Sequence, residues 1–300
     1  MSTPPHASSG AAATYSGTLL IVMMIWGLNL PVLKWLTGHF DPVFLSALRM
    51  GAGAALLAVL VSCASSSESP KPGQLAQLAL ASLLSVYLYQ LAVTAGIYRT
   101  TATNGALVSA LHPVVATMAA LLLLREKPQG RTLAGALIAL GGVALVTVNP
   151  EDRVGQVSSG DLLILASLLL NCAGMAVAQR VLTKVDAMSV ALWTQTFGAV
   201  MLFAHAAALS HQSGTRPRMP STAGPWIVLV LSGALSSGLS ALLWHRAVAA
   251  VGMSKASMWM YWVPIFALAA ALLVLSEPLH ARHIAGLCLV LLGTRFATRA

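Results

Sequence analysis

The sequence predicts an all-α integral membrane protein, with ten transmembrane helices arranged as two inverted five-helix repeats around a central cavity. The first observation is composition: 57% of the 300 residues are hydrophobic and only 8% are charged, against about 25% charged in soluble domains. Secondly, ten apolar stretches are each long enough to cross a bilayer as a helix of about 20 residues. Thirdly, the second half of the chain repeats the first at an offset of 151 residues.

The repeat rests on residues that match without a gap. Pro113, Glu126 and Gly135 of the first half correspond to Pro264, Glu277 and Gly286 of the second. Each half holds five apolar stretches, and because five is odd, the second copy enters the membrane from the opposite side. Inverted repeats are typical of transporters, since two pseudo-symmetric halves can open a shared central site to each side in turn.

Each apolar stretch is predicted to be a helix, because in lipid only helices and closed barrels satisfy the backbone. Runs this uniformly apolar exclude the alternating strands of a barrel. The predicted helices are 16–36, 42–63, 75–97, 102–124, 131–149, 160–182, 188–209, 225–248, 254–275 and 281–297. The predicted domains are a disordered cytoplasmic tail (1–15), a first five-helix repeat (16–149), a linker loop (150–159) and a second, inverted repeat (160–297).

The charges set the orientation. The N-terminal 15 residues lack Lys and Arg, so they do not form the basic region of a signal peptide. With the N-terminus inside, the cytoplasmic segments hold ten Lys and Arg and the opposite segments six. The positive-inside rule therefore places both termini in the cytoplasm. The net charge of +9 is scattered singly between apolar segments, and this excludes a nucleic-acid partner.

Three predicted helices, the first, fourth and ninth, contain an internal proline: Pro31, Pro113 and Pro264. An internal proline removes one backbone hydrogen bond. A packing kink explains any one of them, but the equivalent positions of Pro113 and Pro264 favour two bent helices that flank a cavity. Glu126 and Glu277 precede turns and are interpreted as structural or gating residues.

Polar side chains on predicted helix 4 form the sharpest local signal. Asn104, Ser109 and His112 lie close to one helical face, with His112 near mid-span. Polar groups at membrane depth usually face protein or water. His112 is therefore predicted to contact substrate or carry a proton; the alternative is that it donates to a neighbouring carbonyl.

Aromatic side chains form a second group, which could line a cavity that stacks on a flat or apolar solute. Ordinary packing is the alternative for each ring. The full set of candidate substrate-binding residues is Trp26, Asn29, Tyr87, Gln90, Asn104, Ser109, His112, Trp193, Trp259 and Trp262.

The eight carboxylates all lie in loops or at helix ends. With no acid at mid-span, the sequence favours facilitated transport, or coupling through His112, over proton antiport. Enzyme motifs such as HExxH, CxxC and GxSxG are missing, so an enzyme is not expected. The three cysteines and the two histidines of the last loop have no metal-site spacing, and neither a metal nor a cofactor is expected.

Several of these features together resemble a known family. Trp26-Gly27-Leu28-Asn29, Arg49, and the twice-used block of Pro, Glu-x-Pro or Glu-Pro, and Ala-Gly resemble the EamA domain of the drug/metabolite transporter superfamily. The resemblance covers nearly the whole chain after Tyr15. It implies a ten-helix inner-membrane carrier that exports amino acids or other metabolites through a site made by helices 1, 3, 4, 6, 8 and 9. The rings and the mid-span histidine are similar to the aromatic amino acid exporter branch.

The second repeat departs from the pattern, with Asn171 where the first has Trp26. The predicted function is export of small metabolites, amino acids including aromatic ones, from the bacterial cytoplasm by alternating access. Alternatives are export of drugs, nucleosides or sugars and, from another class, a membrane scaffold that transports nothing. The expected partners are a small-molecule substrate and membrane lipid. A monomer is favoured over a homodimer, although Gly135-x-x-x-Ala139 could pack within the chain or against a second protomer.

Overall fold

The protein is helical throughout the part of the chain that its structure, a computed structural model, describes. No strand occurs in this part, so the all-helical prediction is confirmed for these residues. The described residues are 9–64, 69–97, 99–100, 108–125, 130–147, 158–275 and 281–298.

The elements follow one another as two similar series. The first series is α1 (Ser9–Thr37), α2 (Pro42–Cys63), α3 (Pro72–Ser82), a π-helical segment π1 (Leu83–Leu88), α4 (Tyr89–Ile97), α5 (His112–Leu124) and α6 (Gly130–Thr147). The second is α7 (Ser159–Leu182), α8 (Ala187–Ser213), α9 (Ala223–Gly233), π2 (Ala234–Leu239), α10 (Ser240–Val251), a short α11 (Met253–Ser257), a 3-10 turn (Met258–Tyr261), α12 (Trp262–Leu275) and α13 (Ala281–Thr298). Helix α1 begins at Ser9, earlier than the sequence predicted.

The sequence repeat recurs in the elements themselves. Helices α3 and α6 and the segment π1 begin and end 151 residues before α9, α13 and π2. Helices α1 and α2 follow another offset, because α1 ends at Thr37 and α7 at Leu182, 145 residues later. The difference is absorbed around α8, which has 27 residues against 22 in α2. Trp26 is thus equivalent to Asn171, whereas Ser85 is equivalent to Ser236.

The main helix–helix contacts join a helix of the first series to a helix of the second. Helix α1 packs on α10 and α12, and its equivalent α7 packs on α4 and α5. Helix α2 packs along its own equivalent α8, and α6 packs along α13. Equivalent helices of the two series thus have equivalent partners. The segment π1 and the helix α5 thereby lie against α7, and the segment π2 and the helix α12 lie against α1.

Glycines permit the crossing of α6 and α13. A Cβ atom on Gly135 would lie 2.5 Å from the carbonyl oxygen of Gly293, and one on Gly142 would lie 2.7 Å from that of Gly286. Small residues of this kind let helix backbones approach closely in membranes. The partner of the Gly135-x-x-x-Ala139 stretch is therefore a helix of the same chain.

Six helices in the described residues are long and apolar enough to cross a membrane: Tyr15–Thr37, Pro42–Cys63, Pro72–Gly96, Ser159–Leu182, Ala187–Ser213 and Ala223–Val251. The shorter apolar helices are His112–Leu124, Gly130–Leu145 and Ile284–Ala297. Large apolar side chains are exposed, among them Leu122 at 72% and Val200 at 60%. An apolar surface of this extent is stable in lipid rather than in water. The chain is a multi-pass membrane protein.

The two prolines at equivalent repeat positions both lie where the helix geometry changes. Pro113 lies in the first turn of α5, after a turn at Ala110 and Leu111, whereas Pro264 lies in the first turn of α12, which continues directly from α11 and the 3-10 turn. At a helix start the missing proline N–H costs nothing, because the first N–H groups have no intrahelical acceptor. In its described part the predicted helix 102–124 is therefore interrupted at Ala110 and Leu111, whereas the predicted helix 254–275 is helical throughout, with 3-10 geometry just before Pro264. Pro31 does lie inside α1, as predicted.

Candidate functional site

A chain of hydrogen bonds joins α5, α7 and π1. His112, the first residue of α5, is 7% exposed, and its Nε2 lies 2.9 Å from Oδ1 of Asn171 on α7. The Nδ2 of Asn171 donates to the carbonyl oxygen of Ser85 in π1 at 3.0 Å. The Sγ of Cys172 lies 3.9 Å from the same histidine nitrogen. The predicted site residue His112 is therefore held by two elements that are distant in sequence.

The Ser85 carbonyl fixes the protonation of the His112 ring. A carbonyl only accepts, so the amide end of Asn171 that faces it must be the NH₂ group. The oxygen of Asn171 then faces His112, whose Nε2 must carry a hydrogen and donate it. In the neutral ring this leaves Nδ1 as an acceptor. Nδ1 is buried and has no hydrogen-bond partner among the described residues.

The equivalent hydrogen bond exists in the other half. The Nε1 of Trp26 on α1 donates to the carbonyl oxygen of Ser236 in π2, also at 3.0 Å. Trp26 corresponds to Asn171, and Ser236 corresponds to Ser85. At Asn171 the second repeat departs from the family pattern, but this residue makes the same kind of contact to a backbone carbonyl as Trp26 does, with a different side chain.

Both acceptors lie in π-helical segments. Such segments interrupt α-helices mostly at functional positions, and a backbone carbonyl has two lone pairs, so it can accept a side-chain donor as well as a backbone one. The hydroxyls of Ser85 and Ser236 each bond the carbonyl four residues back, at 2.7 and 2.6 Å. The π segments are thus the points at which α7 and α1 attach to the opposite half.

A buried arginine reaches π2 as well. Arg49 of α2 is 6% exposed, and its Nη2 donates to the Ser236 hydroxyl at 2.8 Å. Its Nε is buried without a hydrogen-bond partner among the described residues. Ser236 therefore contacts the side chains of both Trp26 and Arg49, through its carbonyl and its hydroxyl respectively.

Three of the predicted rings lie in one apolar cluster. Trp26, Trp259 and Trp262 are half-buried against a core that includes Cys172, the neighbour of His112. Trp26 packs on Trp244 with ring centroids 5.6 Å apart, and Trp262 packs on Phe266 at 5.8 Å. The Nε1 of Trp262 is buried with no hydrogen-bond partner in the described parts of the chain.

Other predicted residues lie elsewhere. The hydroxyl of Tyr87 lies 2.8 Å from Nδ1 of His205 on α8. Trp193 packs on Phe197 in a separate cluster with α3 and α7. Asn29 and Gln90 are half-buried, and the amide of Gln90 makes only a long contact of 3.5 Å to Thr94.

The predicted polar stripe of helix 4 does not continue through this region. Ser109 is exposed while His112 is buried, and the turn at Ala110 and Leu111 separates them. A helical wheel drawn through both residues therefore does not apply. Asn104, Glu126 and Glu277 lie outside the described residues.

Sequence reasoning did not identify four residues of this arrangement as site residues: Asn171, Ser85, Ser236 and His205. Asn171 was noted only as a departure from the repeat. The signal that could have found it was its equivalence to Trp26, because a substituted position keeps its place in the fold. Ser85 and Ser236 could have been found as serines at equivalent repeat positions in otherwise apolar stretches.

Comparison with known families identifies the fold. The model of the EamA-like transporter family matches residues 15–148 and again residues 158–299. A solved crystal structure superimposes with a TM-score of 0.79 at 17% identity, over 95% of this chain and 98% of the other. At that identity the likeness concerns the fold alone.

Curated relatives extend over the same length. The chain is 23% identical to the uncharacterized transporter YyaM of Bacillus subtilis (strain 168), covering 93% of this chain and 92% of the relative. It is 24% identical to the uncharacterized transporter YetK of the same organism, covering 92% and 84%. An uncharacterized transporter of Archaeoglobus fulgidus is 21% identical over 94% and 97%. The resemblance to EamA transporters is confirmed.

Proposed function

Because the chain belongs to the EamA-like transporter family, we propose that it exports small metabolites, above all amino acids including aromatic ones, across the bacterial inner membrane by alternating access. The proposed architecture is ten membrane-crossing helices in two inverted repeats, with both termini in the cytoplasm. The exchange of helix contacts between the two series supports this arrangement, since inverted halves pack about a twofold axis.

One observation supports the substrate class. Two equivalent helices each begin with a side chain that has a buried polar atom without a hydrogen-bond partner among the described residues, an acceptor in one helix and a donor in the other. His112 begins α5 with a buried acceptor, Nδ1, and Trp262 begins α12 with a buried donor, Nε1. A buried polar atom without a partner costs about 1–3 kcal/mol. A substrate that both donates and accepts hydrogen bonds would satisfy both atoms, and an amino acid is such a solute.

The surrounding rings favour a substrate with an apolar or aromatic part. Trp26, Trp259 and Trp262 share one cluster, and aromatic rings stack favourably on other rings by about 0.5–1.5 kcal/mol beyond simple burial. Small hydrophilic solutes would gain nothing from these rings. Aromatic amino acids combine both requirements.

The test is flux through purified protein in liposomes, with each labelled amino acid of a broad panel offered in turn. We expect exchange of labelled Phe and Trp, reduced by competing amino acids more than by drugs, nucleosides or sugars. Stronger competition by one of those three classes would assign the site to that class instead. An absence of flux for every solute tested would favour a membrane scaffold.

A further inference from the structure

A buried charge on α2 has no counter-ion among the described residues. Arg49 lies seven residues beyond the start of α2, about 10 Å along the helix. Its side chain is 94% buried, since only 6% is exposed. A guanidinium offers five N–H donors, and the described residues accept only one of them, at the Ser236 hydroxyl.

The carboxylates of the described residues are used elsewhere. Asp41 accepts from the backbone of Arg218, and Asp186 caps α8. Asp161 accepts from the hydroxyl of Thr100 and from the backbone of Ser158 at the start of α7. Arg49 therefore has no ion pair within the described residues. A buried, unpaired arginine in a membrane segment typically marks a path for substrate or ions.

Packing does not require a charge at this position. The equivalent of Arg49 in the second series is Thr194 of α8, whose hydroxyl bonds its own helix at Val190, 2.7 Å away. The same helix crossing is held there by Ser82, which donates to the Thr194 carbonyl at 2.7 Å. A neutral residue is therefore sufficient for the fold, and the charge is confined to one half.

We propose that the Arg49 guanidinium binds the carboxylate of the transported solute, with the Ser236 hydroxyl as its positioning residue. This inference rests on the proposed function and narrows the substrates to carboxylates. Arginine matches a carboxylate with two parallel hydrogen bonds. In the described conformation Arg49 is buried and bonded to π2, on which α2 packs, so in the proposed cycle the guanidinium becomes reachable when α2 and π2 separate. Trp26, bonded to the same serine, would report this separation.

Wild-type protein in liposomes gives the first measurement. Uptake of labelled Phe is competed with unlabelled Phe, with phenylalaninamide and with phenethylamine, which keep the ring and the amine but lack the carboxylate. Charge-assisted hydrogen bonds contribute about 1.5–3 kcal/mol. We therefore expect both analogues to compete at least about tenfold more weakly than Phe.

Three variants locate the effect. Arg49→Gln should bring Phe and phenylalaninamide to within about threefold of each other, and Arg49→Lys should recover part of the preference, because it keeps the charge but not the paired donors. The preference of Ser236→Ala for Phe over phenylalaninamide should lie between that of Arg49→Lys and that of wild type. Arg246→Gln is the matched control, since Arg246 is exposed on α10, and it should keep the wild-type preference.

The outcomes are distinguishable. If wild-type protein transports Phe but phenylalaninamide competes equally well, the carboxylate site is wrong while amino acid export stands, and this result does not depend on any variant folding. A full carboxylate preference in Arg49→Gln would likewise overturn the inference. If no amino acid moves at all, the proposed function fails and the inference fails with it.

Discussion

Asn171 fixes the chemistry of His112. Its amide must turn its NH₂ group to the Ser85 carbonyl, so its oxygen holds the hydrogen of His112 Nε2 and leaves Nδ1 as an acceptor. On the other side, Trp26 donates to Ser236 with an indole N–H. At the residue scale, equivalent positions thus make equivalent backbone contacts while only one of them orients a histidine. The two halves are alike in structure and different in chemistry.

The first prediction concerns His112 and Trp262. Replacing either by Ala should lower flux at least about tenfold, far more than it lowers the amount of folded, membrane-inserted protein, because each side chain carries one buried polar atom that the described fold leaves without a partner. Trp35→Ala, at an exposed ring of α1, serves as the control and should keep its flux. Glu126→Gln is the contrast, since the sequence predicts Glu126 to lie at a helix end, where a substitution should alter folding or gating and not substrate choice. If both Ala variants kept wild-type flux and selectivity, these two residues would serve packing only, and the proposed site would be wrong.

At the element scale, the breaks in the helices matter more than the helices. The π segments supply the two carbonyls that accept from Asn171 and Trp26, and the turn before α5 and the 3-10 segment before α12 bring His112 and Trp262 to helix starts. Each of these side chains has a buried polar atom without a partner among the described residues, so these two positions are polar in an apolar environment. The regular parts of the helices hold these carbonyls and side chains in place.

The crossing of α6 and α13 gives the second prediction. Gly135→Val should destabilise the protein by about 1–3 kcal/mol, because its Cβ would lie 2.5 Å from the Gly293 carbonyl oxygen and 2.6 Å from the Ala297 Cβ. Gly141→Ala on the same helix is the matched control, since nothing lies within 4 Å of its added Cβ. Thermal unfolding in detergent, followed by size-exclusion chromatography, measures both. Equal melting temperatures would show that this crossing is not tightly packed.

At the scale of the whole molecule, the two series exchange contacts as a pseudo-symmetric pair, but their charged and polar groups are not duplicated. The repeat equivalent of Arg49 is Thr194, and that of His112 is the apolar Val263, next to Trp262. In the proposed mechanism, equivalent halves supply the two conformations that alternating access requires, and the groups present in only one half would bind the solute in a single orientation.

The third prediction concerns coupling. The carboxylates of the described residues lie at helix ends, where Asp161 and Asp186 cap α7 and α8, so none of them is placed to carry a proton across the membrane. Transport should therefore be downhill, with a rate largely insensitive to an imposed pH gradient across the liposome. Accumulation driven by such a gradient, and abolished in His112→Ala, would instead make His112 the proton site.

The fourth prediction concerns orientation. In a background without Cys63 and Cys288, single cysteines at Gly73 and Arg216 should be labelled from opposite sides by a membrane-impermeant maleimide. Both positions are exposed, and a Cβ on Gly73 meets nothing within 4 Å. Arg216→Cys should react in intact spheroplasts, and Gly73→Cys only after permeabilisation. The reverse pattern would place both termini outside.

The sequence by itself determined the membrane class, the helical content, the repeat and the family. These follow from composition and from hydrophobic runs, because lipid leaves a spanning backbone few alternatives. It also singled out His112, Trp26 and Trp262 as candidate site residues. Only the tertiary structure decided how they are connected, because the Asn171 and Ser85 contacts join residues far apart in sequence. The same limit applies to the turn at Ala110 and Leu111 before Pro113, which interrupts a stretch that is apolar enough to be predicted as one helix.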